Sequence, residues 1–249
     1  MTRRYLTITL ALALLLAGVA GAVWYGGRPV AYAPRGPGDI YLALGDSLAW
    51  GARLDDQASQ SYPALIHARL AAGRTIALEN LAVPGETSAS LIRGQLPRAL
   101  ALIRDARARG QRVSPITIDI GGNDLRNVER ADPAVRAATV EAVGRNLAQI
   151  IGDLRRAAGP DADIAVMTYY NPYGGDPAVE GGEAYWVERL NATIGAAAAP
   201  RGAAVADTYG PLGGGRAYTH TFILLGDIHA NALGHKVIAD AFVRALRYP

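Results

Sequence analysis

From position 39 to its end, the chain alternates short apolar runs with longer stretches whose apolar residues recur at helical spacing, and this alternation constrains the fold more than any other feature. Residues 40–44 form an apolar run closed by Gly45, as a buried strand would be; residues 62–72 carry helical spacing. Residues 75–83 read as a second strand and residues 88–109 as one long amphipathic helix. A β-branched run over residues 116–120 stops at Gly121-Gly122, and residues 133–158 predict a helix with Asp132 as cap and Pro133 at its first position. A strand over 164–168, a helix over 185–199, a strand over 203–207 and a helix over 231–247 complete the chain, with no internal repeat. Successive strands separated by helices pair in parallel, because each crossover returns the chain to the same edge, and helices then cover both faces. The expected class is α/β with a five-stranded parallel sheet. In such sheets ligands bind beyond the carboxyl ends of the strands, where the chemically interesting residues of this chain fall.

The length of 249 residues suits one sizeable domain, and a composition of 50% hydrophobic and 19% charged residues describes a folded chain. The formal charge of +3 is small, and the arginines are scattered without interleaved aromatics, which argues against a nucleic-acid partner. The absence of cysteine excludes disulfides, thiolate zinc sites and a thiol nucleophile. Arg3 and Arg4 precede an apolar run over residues 6–25 that is interrupted only by Thr7 and Thr9, the pattern of a secretion signal. Ala20-Gly21-Ala22 offers a small-x-small cleavage site. The run is also close to the roughly 20 residues that span a bilayer, so an uncleaved membrane anchor is the alternative. Residues 26–38, with three prolines and four glycines, read as a linker. The expected organisation is a signal peptide or anchor over 1–25, the linker, and one domain over 39–249, which either way lies outside the cytoplasm.

Four blocks follow strand ends. Gly45-Asp46-Ser47-Leu48 closes the first strand, where a serine either projects from the sheet edge or caps the next helix. It lacks the second glycine of the G-x-S-x-G elbow, unlike an ordinary α/β-hydrolase. Asn80 to Ser88 includes Gly85, whose N–H no Cβ shields from an approaching oxyanion; a plain strand-to-helix turn explains it equally. Gly121-Gly122-Asn123-Asp124 offers a neutral amide donor suited to a developing negative oxygen, or a simple Asn-Asp turn. Gly226-Asp227-Ile228-His229-Ala230-Asn231, ahead of the last helix, puts a histidine beside a carboxylate on a loop. Of the other histidines, His67 and His235 fall inside helices and His220 in an unpatterned loop.

In this order, Gly-Asp-Ser, Asn…Gly, Gly-Gly-Asn-Asp and Asp-x-His-x-Asn-x-x-Gly-His resemble the SGNH (GDSL) family of serine ester hydrolases, from about residue 39 to the end. The resemblance implies a three-layer α/β/α fold with a flavodoxin-like sheet, Ser47 as nucleophile and His229 as base. It also implies an oxyanion hole formed by the Ser47 and Gly85 N–H groups and the Asn123 side chain, with no metal or organic cofactor. One position departs from the pattern: the family's acid usually lies three residues before the histidine, where this chain has Gly226. Asp227 lies two before, and in an extended segment residues i and i+2 share a side, so either Asp227 or a backbone carbonyl orients the ring. The implied substrate is a small-molecule, lipid or glycan ester; alternatives are acyl transfer from the same acyl-enzyme and a non-catalytic surface binding module. Trp50, Tyr62, Tyr169, Tyr170 and Tyr173 fall near strand ends and are candidates to line an apolar cleft.

Fractionation of an expressing bacterium is expected to find the domain outside the cytoplasm. A shortened N-terminus identifies a cleaved signal and an intact one in the membrane fraction an anchor; full-length soluble protein in the cytosol overturns the expectation.

Overall fold

The computed structural model describes residues 31–172, 174–213 and 216–248. The apolar N-terminal run and the first part of the linker lie outside the described residues, as does Tyr173. Among the described residues no helix is long and apolar enough to cross a membrane.

Five parallel strands, β1 (Ile40–Gly45), β2 (Ala77–Asn80), β3 (Val113–Asp119), β4 (Ile164–Met167) and β5 (Ala204–Ala206), form one sheet in the order β2-β1-β3-β4-β5. This is the flavodoxin-like order, in which the chain leaves β1 for β2 on one side and returns to β3 on the other. β1 and β3 are buried along their whole length, as strands covered on both faces must be, which is why they read as continuous apolar runs rather than alternating ones. Successive residues nevertheless serve opposite layers. Leu42, Leu44, Ile116 and Ile118 pack with Ile103, Leu147, Ile151 and Leu190 on one face, whereas Tyr41, Ala43 and Met167 pack with Tyr62, Ile66, Ile238 and Phe242 on the other.

The principal helices are α1 (Ser47–Trp50), α2 (Tyr62–Ala71), α3 (Ser88–Arg93), α4 (Gln95–Ala108), α5 (Gly122–Arg126), α6 (Pro133–Ala158), α7 (Glu183–Ala198) and α8 (Ala232–Leu246). Helix α6 begins with Pro133 in its first turn as expected, but Asp132 makes no side-chain capping bond. The helix expected over residues 88–109 is two helices broken at Gly94. Pro97 explains the break, since it has no N–H for the carbonyl four residues earlier and its ring clashes with that carbonyl. The break frees Gln95 to turn inward, where its Oε1 accepts the Gly45 N–H at 3.0 Å and its Nε2 donates to the Gly45 carbonyl at 2.7 Å. A buried amide side chain thus supplies hydrogen bonds to the last residue of β1.

At the other end of the sheet, residues 31–38 lie against the amino ends of the strands. The Asp163 carboxylate accepts the Arg35 and Gly36 N–H groups, and Gly38 N–H donates to the Ser114 carbonyl. On the second face, His235 of α8 is fully buried and its Nδ1 accepts the Tyr62 N–H at 3.1 Å, fixing the first turn of α2. Its Nε2 has no partner among the described residues. Burial therefore disfavours the charged ring and pulls its pKa down to about 4 from 6.5.

A histidine held neutral in the fold but protonated when unfolded makes stability rise with pH wherever the unfolded chain binds the extra proton. Urea midpoints are expected to be flat above about pH 6.5 and to fall between there and about pH 4, with His235 contributing up to about 3 kcal/mol of the loss. His235→Leu should flatten that window whatever it does to stability at neutral pH.

Candidate active site

The site is built from the carboxyl end of β1 outward. Gly45 has φ +153°, and a Cβ there would sit 2.1 Å from Oδ1 of Asp119, so only glycine lets β1 end this close to β3. Asp46 follows as the N-cap of α1, its Oδ1 accepting the Leu48 N–H at 2.9 Å. Ser47 is the first residue of that helix. Its own N–H faces no intrahelical acceptor, and it has no hydrogen-bond partner among the described residues.

The histidine arrives from the far end of the sequence. Its loop is held by an antiparallel bridge between Thr221 and Ala230, by Phe222 N–H donating to the His229 carbonyl at 3.0 Å, and by the Tyr170 hydroxyl donating to the Ile228 carbonyl at 2.7 Å. Asn231 caps α8 through Oδ1 and ties Thr219 through Nδ2. His229 Nε2 lies 2.9 Å from Ser47 Oγ, and its Nδ1 lies 2.5 Å from Oδ1 of Asp227, which also accepts the His229 N–H at 2.9 Å. Asp227 sits two residues before the histidine, and this local turn brings both donors of His229 to a single oxygen. Its other oxygen pairs with Arg53 Nε at 3.0 Å. Partial burial raises the Asp227 pKa, but the His229 backbone and ring bonds and the Arg53 charge outweigh it and hold the carboxyl below its ordinary range. An ionised carboxylate on Nδ1 fixes the tautomer that leaves Nε2 bare toward the serine. This is a hydrogen-bonded line from carboxylate through imidazole to hydroxyl, able to raise the nucleophilicity of Ser47.

The other two blocks meet beside it. Gly85 has φ +80° and open space where a Cβ would be, and its N–H has no partner among the described residues. Asn123 Nδ2 donates to the Glu86 carbonyl at 3.0 Å, next to Gly85, and the Asn123 side chain lines the same cleft as Ser47. Asp124 accepts the Ser88 N–H and hydroxyl at 2.8 and 2.6 Å, fastening α5 to the start of α3 and so the two loops to each other. The glycine pair before Asn123 is a packing requirement: a Cβ on Gly121 would meet Val143 at 2.9 Å, and one on Gly122 the Tyr169 ring at 2.6 Å.

Ser47 and His229 open onto a cleft whose wall is largely apolar and includes Leu125, Tyr169, Pro172, Val187, Leu190 and Ile228. Glu129, Arg126 and Glu183 give it a charged rim. Of the aromatics picked out in the sequence, Tyr169 and Tyr170 line this cleft. Tyr62 is fully buried in the core instead, its hydroxyl donating to Asp119, and Trp50 is half exposed and not part of the lining. His67 and His220 bond backbone carbonyls, Ile76 and Arg216, away from the site. Sequence reasoning missed Arg53, Asp119 and the apolar wall from α5 and α7. Asp119 carried a signal, a carboxylate inside a β-branched run; Arg53 carried none, because the pair forms between residues 174 positions apart.

A family model described as the GDSL-like lipase/acylhydrolase family matches residues 43–237. No curated protein sequence matches the chain. Solved structures similar to it include the lipase Lip_vut3 from a goat rumen metagenome, at TM-score 0.65 and 20% identity over 84% of this chain and 97% of that one. Another is Axe2, an acetylxylan esterase from Geobacillus stearothermophilus, at TM-score 0.66 and 16% identity over 87% and 98%. TesA matches at TM-score 0.60 and 23% identity over 84% and 98%. At these identities the structural likeness speaks for the fold, and the family match carries the chemistry.

Because a methyl group at residue 45 has no room beside Asp119, Gly45→Ala is expected to cost at least about 3 kcal/mol of stability, combining overpacking with backbone strain. Chemical denaturation measures it, and a loss below about 1 kcal/mol would show that the β1–β3 junction is looser than drawn.

Proposed function

The chain belongs to the GDSL-like lipase/acylhydrolase family and is a carboxylic ester hydrolase, and on that premise we propose that it cleaves esters of extended apolar acyl chains with Ser47 as nucleophile and His229 as general base. The observation that carries the reading is the line Asp227–His229–Ser47 opening onto the apolar cleft. An acetyl group needs little apolar wall, whereas a longer acyl chain is stabilised by about 25 cal/mol for each Å² of apolar surface it buries. The acetylated-glycan reading has no comparable support among the described residues.

In the proposed sequence, Ser47 Oγ attacks the ester carbonyl as its proton passes to His229 Nε2, and the ionised Asp227 stabilises the imidazolium. The Ser47 and Gly85 N–H groups and the Asn123 amide take the charge that gathers on the carbonyl oxygen, each donor worth roughly 3 kcal/mol. Asn123 Nδ2 holds its second hydrogen on the Glu86 carbonyl, which keeps the amide aimed in the ground state. His229 Nε2–H protonates the leaving alcohol, the acyl group stays on Ser47, and water activated by the same nitrogen releases the acid. Arg3-Arg4 and the apolar run after them support placing this activity outside the cytoplasm, on a secreted or membrane-anchored chain.

A fluorophosphonate probe is expected to label the protein at Ser47 and not to label Ser47→Ala; labelling that persists on another serine refutes the assignment. Across p-nitrophenyl esters, kcat/KM should rise from acetate to medium-length chains, and a maximum at acetate would refute the substrate class. Asp227→Asn should lower kcat by about 10²–10⁴, because the amide favours the wrong imidazole tautomer, and a loss under tenfold would move the orienting role to a backbone carbonyl.

A further inference from the structure

Beneath Ser47 lie two carboxyl groups that the reaction scheme does not use. Asp46 is 3% exposed and Asp119 is fully buried, and the Asp119 carboxyl lies against Asp46, accepting its backbone N–H at 3.1 Å. Their other partners are neutral. Asp119 accepts the Tyr62 hydroxyl at 2.5 Å and the Asp46 N–H at 3.1 Å; Asp46 accepts the Leu48 N–H and, at 2.7 Å, the Tyr169 hydroxyl. Among the described residues neither carboxyl has an Arg or Lys partner. Two like charges on neighbouring buried carboxyls, with no cation beside them, cannot both persist, so at least one carboxyl keeps a proton.

The groups facing the pair are Tyr41 from β1, Tyr62 from α2, Tyr169 and Tyr170 from the end of β4, and His229 from the loop before α8. Glu86 is one step removed, through Gln95, which bonds both it and Gly45. All four tyrosines are pushed up by burial and stay neutral, so His229 is the one group of this set able to bear positive charge.

We propose that Asp46 and Asp119 hold one proton between them, Asp119 neutral and Asp46 ionised, and that the single negative charge on Asp46 acts through space to stabilise the His229 imidazolium. This rests on the reading of His229 as the base. Each carboxyl accepts two donors, so the asymmetry follows from position: Asp46 lines the cleft beside Ser47 and His229, whereas Asp119 lies deeper and is fully buried. Burial pushes both carboxyls up, and the neighbouring Asp46 charge adds to burial at Asp119 and takes it well above the ordinary carboxylate range, in keeping with Asp119 as the neutral member. Asp46 is thereby a positioning residue with two tasks, capping the helix that carries the nucleophile and supplying a second carboxylate, beyond Asp227, to the imidazolium.

Protein labelled with ¹³C at the aspartate carboxyls tests the shared proton without reference to catalysis. At pH 7 one buried carboxyl resonance should show the protonated shift and should vanish in D119N; two ionised signals at pH 7 would overturn the proposal. The charge on His229 is read from the pH profile of kcat/KM on an activated ester. D46N, which keeps a cap for Leu48, should move the acid limb down by about one pH unit and lower kcat about tenfold or more, whereas D119N, which keeps a donor toward Asp46, should leave the limb in place. An unmoved limb in D46N overturns the electrostatic role, and a limb moved by D119N overturns the placement of the charge. If D46N does not fold, the wild-type carboxyl spectrum still decides the shared proton. Probe labelling that proved independent of Ser47 would remove the functional reading while leaving the carboxyl spectrum to stand or fall alone.

Discussion

Where β1 ends, the Asp119 carboxyl takes the backbone N–H of Asp46 on one oxygen and the hydroxyl of Tyr62 on the other, with Gly45 supplying the room. That contact joins the centre of the sheet, the turn before Ser47 and helix α2 in one place, and much of the site depends on it. The turn carries no freedom of its own: Gln95 fixes Gly45 from below and Asp46 caps α1 from above. A serine set on such a base is held by core packing, which responds to small changes with large energies.

The partner loop is held by local contacts of its own. It is held by the Thr221–Ala230 bridge, by hydrogen bonds to the carbonyls of Ile228, His229 and Phe222, by Asn231 at the start of α8, and by the Arg53–Asp227 pair, in which Arg53 is more than half exposed. An exposed ion pair adds little stability. Its effect here is geometric, since it occupies the carboxylate oxygen that His229 does not use and links the segment after α1 to Asp227. The site therefore combines a serine fixed by core packing with a histidine whose tautomer is fixed by a neighbouring carboxylate.

The apolar cleft has a similar origin in the architecture. The chain crosses from β1 to β2 and then to β3, so the loops after β1 and β3 diverge and leave a crevice at the strand ends. Helices α5 and α7 wall that crevice with Leu125, Val187 and Leu190, positions that serve core packing lower in the same layer. Wall and core are continuous apolar surface, so a bound acyl chain would extend the hydrophobic layer rather than require a separate pocket.

Much of this was legible in the sequence because it depends on local rules. Strand–helix alternation determined the α/β class, and the order of four short blocks determined the family, because turn chemistry and short motifs are written within a few consecutive residues. The boundaries of α2 and α6 followed from spacing and from a proline in the first turn. The break at Gly94 was also written locally, in Pro97, but the helical periodicity on either side of it masked the interruption. Tertiary structure alone decided what distance in sequence hides. It turned Tyr62 from a candidate for the cleft wall into the donor that satisfies a buried carboxyl, paired Arg53 with Asp227, and set Asp46 against Asp119. Those contacts join residues 57 to 174 positions apart, and no local preference encodes them; they exist because a parallel sheet brings the carboxyl ends of separate strands to one edge, where water is excluded and each polar group must find its partner in another segment of the chain.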